Sequence, residues 1–405
     1  MHAKKRIFLI TALLYIFYTI FPLFADTFNI PVWLPSMFAV AVMLILYPKA
    51  FANKAFYWFL IYAFVLLFNL MLGRPLTVGI GKLADSRKIL IELAFILPSL
   101  SMACILLYLK DIELNRKLVR WSVIILYASF IVTLPLMLSY NSIREALMEQ
   151  NEESFSVPGL PGYTLMHAYT FFLPVMCYVT KAVNVGKKWL AIAGLSVLCF
   201  VIYDTFVTTS LLVMIACIVF TIFYSDKSNL LFFFIFGILA LLLYIMYKAG
   251  VFISLIDWIM PAFEGTPVEF KLNDFRDSML QGQLTGGSIT GRMDFHDVSK
   301  GGFISNPIFG SSVSGGHSSL LDRLGGMGLV GALPFIMMFI AIFRQMYKLY
   351  TTKLARAFFF VGVIVGFVFL YNKGLFGSEG WLVYTVLMPI GILSFEYKVN
   401  NNETA

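Results

Sequence analysis

The sequence predicts an all-α polytopic integral membrane protein, with about twelve transmembrane helices and a large outer loop carrying short amphipathic helices. Three observations predict it. Of 405 residues, 60% are hydrophobic and 13% charged, whereas a soluble domain is about half apolar and a quarter charged. Apolar runs of bilayer-spanning length recur along the chain. Lys and Arg are divided unequally between the two sets of connecting loops.

The first run, Ile7 to Phe24, follows Lys4-Lys5-Arg6. It exceeds the 7–15 residues of a signal-peptide core and no small-residue cleavage site follows, so it reads as a retained span. Further runs lie at about 30–47, 55–72, 89–109, 118–138, 163–180, 189–203, 206–224, 229–247, 327–343, 355–370 and 381–395. Only Asp204-Thr205 separates 189–203 from 206–224; the pair reads as a tight hairpin or as one kinked element. With the N-terminus in the cytoplasm, inner segments hold 18 of the 30 Lys and Arg, and six of the other 12 sit in the long loop. Long loops carry no weight in the positive-inside rule, so the comparison is 18 against 6, with both termini cytoplasmic. The net charge of +8 is therefore an orientation signal and implies no nucleic-acid partner.

Residues 1–247 thus form an N-terminal membrane bundle, 248–326 a large outer loop and 327–405 the last three spans with a cytoplasmic tail. A structureless loop of that length is uncommon, and two helical patterns fill part of it. Val268, Leu272, Phe275 and Met279 share one face, as in an interfacial helix. From about Thr290 to Lys300, Arg292 and His296 fall at i, i+4. A flexible Gly/Ser stretch, Gly310 to Gly316, leads to His317. There is no internal repeat, low-complexity tail or soluble domain. Cys104, Cys177, Cys199 and Cys217 all lie in apolar stretches without C-x-x-C spacing, and read as small core residues.

The spans are almost free of ionisable groups. Glu92 is the clearest exception, and reads either as a partner for Arg87 or Lys88 or as a functional intramembrane charge. Outer loop 73–88 carries Arg74, Lys82, Arg87 and Lys88 against Asp85 alone. Four cations there defy the orientation rule; they meet either anionic headgroups or an anionic ligand such as phosphate, which Arg binds bidentately. Loop 139–162, with Glu145, Glu149, Glu152 and Glu153, could hold part of that cluster. His2 is terminal, His167 reads as a bundle residue, and His296 sits between Asp294 and Asp297. His317 precedes Ser318 to Arg323 and is the candidate general base, since imidazole titrates near neutrality. The nearest D-x-D-like pair, Asp111 and Glu113, falls on the cytoplasmic side, so no metal ion and no cofactor is expected.

In order along the chain stand Gly291-Arg292, Asn306-Pro307-Ile308-Phe309-Gly310, and Gly316-His317-Ser318-Ser319-Leu320-Leu321-Asp322-Arg323-Leu324-Gly325-Gly326-Met327-Gly328-Leu329-Val330-Gly331. This order resembles the O-antigen polymerase and ligase superfamily: an Arg opening an outer-loop helix, a Pro-x-x-Gly turn, a His, then a glycine-bounded late span. The resemblance covers about 40 residues of motif and, through the span pattern, the topology of the whole chain. It implies an inner-membrane glycosyltransferase using undecaprenyl-pyrophosphate-linked saccharides as donor and acceptor on the periplasmic face, with a chain-length regulator as a further partner. Arg292 matches the family's phosphate-interacting arginine and His317 its catalytic histidine.

Two departures stand out. Ligase-like members carry an Arg near the start of the eighth span, where this chain has Thr208-Thr209-Ser210; Arg74, Arg87, Lys82 or Arg323 would then supply further contacts to pyrophosphate or sugar. An aromatic residue often follows the loop Arg by four, and His296 stands there. His317-Ser318 followed by Asp322 is more polymerase-like than ligase-like, and Asp322 would orient His317 or bind sugar hydroxyls. Ligation of finished glycan to lipid A-core is the alternative within the superfamily. A lipid-linked-sugar flippase, the alternative from another class, predicts two related halves and a charged cavity, and the sequence shows neither.

Overall fold

A computed structural model describes residues 2–21, 24, 30–31, 33–72, 77–78, 86–139, 163–183, 185–204, 207–225, 245–246, 250–265, 269, 272–273, 276, 288–316, 318–372 and 377–402. Helix dominates. In chain order come α1 (His2–Ile20), α2 (Trp33–Leu46), α3 (Lys54–Met71), α4 (Ser86–Leu109) and α5 (Ile112–Leu138). Next are α6 (Tyr163–Ala182), α7 (Val185–Asp204), α8 (Thr208–Phe223), α9 (Val251–Ile259) and α10 (Ser288–Ser305). The chain closes with α11 (Ser319–Tyr347), α12 (Lys353–Asn372), α13 (Ser378–Leu382), a π turn Val383–Leu387, and α14 (Met388–Asn402). Two short strands, β1 (Thr77–Val78) and β2 (Val313–Ser314), pair in parallel.

Caps mark where several helices begin. Asn53 Oδ1 accepts from the Ala55 amide at 2.9 Å, Asp111 Oδ1 from Leu114 at 3.0 Å and Ser318 Oγ from Leu321 at 3.1 Å, each satisfying an amide that lacks an intrahelical acceptor. Among the described residues six segments are long and apolar enough to cross a bilayer: Lys54–Met71, Glu92–Leu109, Ile112–Pro135, Ser319–Tyr347, Lys353–Asn372 and Ser378–Glu396. Shorter apolar helices cover Trp33–Leu46, Thr209–Phe223 and Val251–Phe263. Phe64, Ile45 and Leu212 are each more than 60% exposed on the outside of the bundle; water would penalise such a surface and hydrocarbon would not. The protein is an all-α membrane protein. Most of the expected span at 229–247 and of the interfacial stretch 268–279 lies outside the described residues.

Contacts sort the helix ends into two groups. At one end Lys5 pairs with Asp111, Asn53 with Gln345 at 2.9 Å, and the Thr351 amide donates to Glu396 Oε1 at 2.8 Å. At the other end β1 meets β2, and Ser318 Oγ donates to the Leu370 carbonyl at 3.4 Å. Lys181 Nζ donates to the Tyr224 carbonyl at 3.4 Å, which brings the end of α8 back to the end of α6. α7 and α8 are therefore two antiparallel helices, and the hairpin alternative holds for 189–224.

The centre is α6 together with the C-terminal α13–α14 rod. Residues 165–180 of α6 are buried throughout, packed by α7, α8, α12, α13 and α14. Phe171 meets Phe369 and Phe339 stacks on Trp381, with ring centroids 5.0 and 5.1 Å apart. His167 lies in this packing, its ring 4.9 Å from that of Phe369, as the bundle reading expects. Cys104, Cys177 and Cys217 are buried and Cys199 half-buried, and none of the four is in a disulfide.

α11 is one helix with a break. Gly328 has φ 59 and ψ −159, a backbone region open to glycine alone. The expected boundary after residue 326 consequently falls inside α11, two residues before the kink.

Candidate functional site

The site is built around the N-terminal turns of α11. A broken helix leaves amides and carbonyls unpaired, and at membrane depth these need partners. The turn after α10 supplies them. Leu329 and Val330 amides donate to the Pro307 and Ile308 carbonyls at 2.9 and 3.1 Å, while Ser311 and Ser312 amides donate to Gly325 and Gly326 at 2.8 and 3.2 Å. The Pro-x-x-Gly turn is thus the hydrogen-bonding complement of the kink.

Close backbone approach explains the glycines. A Cβ on Gly315 would stand 2.0 Å from the Phe295 carbonyl oxygen, and one on Gly325 would stand 2.5 Å from that of Ser299. α10 therefore lies directly on β2 and α11. The stretch 310–316, expected to be flexible, is instead tightly packed, because its glycines serve contact.

Asp322 organises the segment around His317. Its Oδ1 accepts from the Gly316 amide at 3.1 Å and from Ser299 Oγ at 2.7 Å, and its Oδ2 accepts from the Ser318 amide at 3.1 Å. Ser299 Oγ in turn accepts from the Gly315 amide at 2.8 Å. One carboxylate thus grips the backbone on both sides of His317. His317 itself lies outside the described residues, so what the structure defines is the frame that presents it.

Arg292 belongs to α10, although its side chain is outside the described residues. Helical periodicity puts position 292 on the face shared by Phe295 and Ser299, the face against Gly315 and Asp322. Arg74 and Lys82 lie outside the described residues, and Arg87 is described only as backbone at the start of α4. Their loop is nevertheless anchored: Thr77 pairs with Val313 and Val78 with Ser314.

Arg323 departs from its expected role as a phosphate or sugar contact. It is 5% exposed and faces into the bundle. Its guanidinium pairs with Glu92 and with the Ser319 carbonyl, and Nε donates to Tyr62 Oη at 2.8 Å. Tyr62 Oη donates to Glu92 Oε1 at 2.6 Å, and the guanidinium carbon lies 3.8 Å from the Phe335 ring centroid. A cation neutralised and enclosed in this way serves as a strut between α3, α4 and α11. Glu92 accordingly has Arg323 as a partner, which the expectation of Arg87 or Lys88 did not include.

Three contributors went unread in the sequence. Tyr62 looks like any span tyrosine, and the β1–β2 bridge is too short for a strand pattern. Ser299 alone carried a signal, standing seven residues after Arg292 on one helical face. Among the described residues no group of three or more His, Cys, Asp or Glu is placed to hold a metal ion. A comparison with protein-family models finds no match, and a comparison with curated proteins finds none either.

Proposed function

We propose that the chain is a glycosyltransferase of the O-antigen polymerase kind, joining saccharide repeat units carried on undecaprenyl pyrophosphate at the outer face of the inner membrane. Its support is the sequence resemblance, together with one observation: β1, α10 and the Asp322 carboxylate all meet the segment that carries His317.

In this reading an acceptor sugar hydroxyl attacks the anomeric carbon of the donor, and the bond from that carbon to the pyrophosphate oxygen breaks with inversion. His317 takes the hydroxyl proton. The negative charge left on undecaprenyl pyrophosphate is met by Arg292 and by Arg74, Lys82 and Arg87 of the basic loop, groups that act most strongly where charge develops. Asp322 positions the histidine through the backbone, and Arg323 fixes the helix from which Asp322 projects. Donor and acceptor are both lipid-linked and enter from the bilayer, and both termini lie in the cytoplasm. A chain-length regulator is a further partner.

The test is the surface glycan of a deletion strain complemented with His317→Ala or Arg292→Ala. Loss of long chains with single repeat units still on the core is the expected result. Loss of single units as well would assign ligation instead, and normal chain length in both variants would remove the catalytic reading.

A further inference from the structure

From the end of the bundle opposite β1 and β2, α8 and α12 diverge and leave a groove of about 900 Å³ that runs along both helices. Its α8 wall is Val213, Cys217, Phe220 and Tyr224, one helical face; its α12 wall includes Phe360, Ile364 and Val368. Phe360 and Ile364 are 55% and 47% exposed, so the groove opens sideways to the surroundings of the bundle. The first turn of α12 places Lys353 and Arg356 at its mouth, and no carboxylate is among the lining residues. Arg356 Nε and Nη2 donate to the Tyr350 carbonyl at 3.1 and 2.9 Å, which fixes the guanidinium at the rim. The nearby carboxylate of Glu396 is occupied by the Thr351 and Thr352 amides and is not part of the lining.

An apolar slot capped by two cations matches one chemistry: an anionic head with hydrocarbon tails. From Lys353 to Val368 the wall rises about 22 Å at about 1.5 Å per residue, more than the roughly 15 Å depth of one leaflet. We propose that this groove binds an anionic glycerophospholipid of the adjacent leaflet, its phosphate at Lys353 and Arg356 and its acyl chains along α8 and α12. α12 runs from this mouth to Leu370, which meets Ser318 at the far end of the bundle. The cationic mouth is thus about 25 Å along α12 from the His317 frame, although the apolar wall reaches Val368, and the proposal does not depend on the activity proposed for that frame.

Native mass spectrometry of the full chain, purified in detergent and exchanged with phosphatidylglycerol or phosphatidylethanolamine, reads the occupancy. One phosphatidylglycerol retained in preference to phosphatidylethanolamine is expected. A basic group near a lipid head contributes roughly fivefold in affinity, so Lys353→Ala with Arg356→Ala should weaken retention about twenty-fivefold. The control pair Lys187→Ala with Lys188→Ala removes the same charge on exposed α7 positions and should leave retention unchanged. Ala216→Trp narrows the groove and should displace the lipid while the elution profile stays that of folded protein. Equal retention of both lipids, or equal loss in the control pair, overturns the proposal. So does a shift from dimer to monomer in Ala216→Trp with lipid retention unchanged, which would assign the groove to a second copy of the chain.

Discussion

Two regions of the bundle solve the same packing problem in opposite ways. Around α6 and the C-terminal rod, helices meet ring to ring: Phe171 on Phe369, Phe339 on Trp381, and Tyr384 over Gly366, with Tyr384 Oη donating to the Val363 carbonyl at 3.0 Å. Around α10 and the start of α11 they meet backbone to backbone, through Gly315, Gly325 and Gly328 and the amides of the intervening turn. Aromatic side chains can shift by rotamer and give up contact gradually, whereas two backbones in contact have no such freedom. The region that frames His317 thus leaves the least room for added atoms, and its polar groups are spent on geometry. Chemistry that needs fixed positions is better placed there.

The largest break in this contrast is expected from Gly315→Val, whose new atoms collide with the Phe295 backbone. The cost should exceed the roughly 1–3 kcal/mol of ordinary overpacking, and size-exclusion profiles should show little folded protein. A well-folded Gly315→Val would mean that α10 can move off β2.

Next in size is Glu92→Ala, which leaves the Arg323 guanidinium buried without its carboxylate. Such a change costs about 3–5 kcal/mol, and the paired apolar replacement Glu92→Leu with Arg323→Met should recover most of it. Thermal unfolding in detergent measures both. Equal destabilisation in single and double variants would argue that the pair is no strut.

Asp322→Asn sharpens the comparison. Hydrogen bonds to a charged acceptor are worth about 1.5–3 kcal/mol each before relaxation, and the loss should fall on the His317 frame; under the proposed function it shortens surface glycan more than it lowers the melting temperature. Phe369→Leu, in the aromatic centre, should lower the melting temperature and leave chain length intact. A reversed pattern would remove the division between the two regions.

The smallest effect belongs to the Lys5–Asp111 pair at the opposite end. The lysine beside it holds the Asp111 carboxyl below its usual value of 3.8, so the contribution is present above about pH 4 and fades as pH falls through the lowered value. Asp111→Asn should cost under about 1 kcal/mol at pH 7, and the difference from wild type should vanish in acid. A difference that persists or grows in acid would place the effect elsewhere.

Much of the helical framework was legible because apolar runs of bilayer length leave few other options. α3, α4, α5 and α12 fall where hydropathy put them, and α10 appears where Arg292 and His296 suggested a helix. The pairing of α7 with α8 stayed open in the sequence because Asp204-Thr205 permits both a turn and a kink; the contact between Lys181 and Tyr224 closed it. Arg323 departs from its expected outward position for a related reason. Its partner Glu92 is 231 residues away, and nothing in local pattern says whether a cation at a helix start turns outward to a ligand or inward to a carboxylate.

The sequence by itself determined that this chain lives in a membrane as helices, and it marked the charged residues and the histidine to which the proposed chemistry is assigned. Only the tertiary structure decided which of them face one another, which glycines are contacts, and which arginine is enclosed. Hydrophobic length is a local property that a segment carries wherever it goes, whereas hydrogen bonding and close packing exist only between segments that folding has brought together.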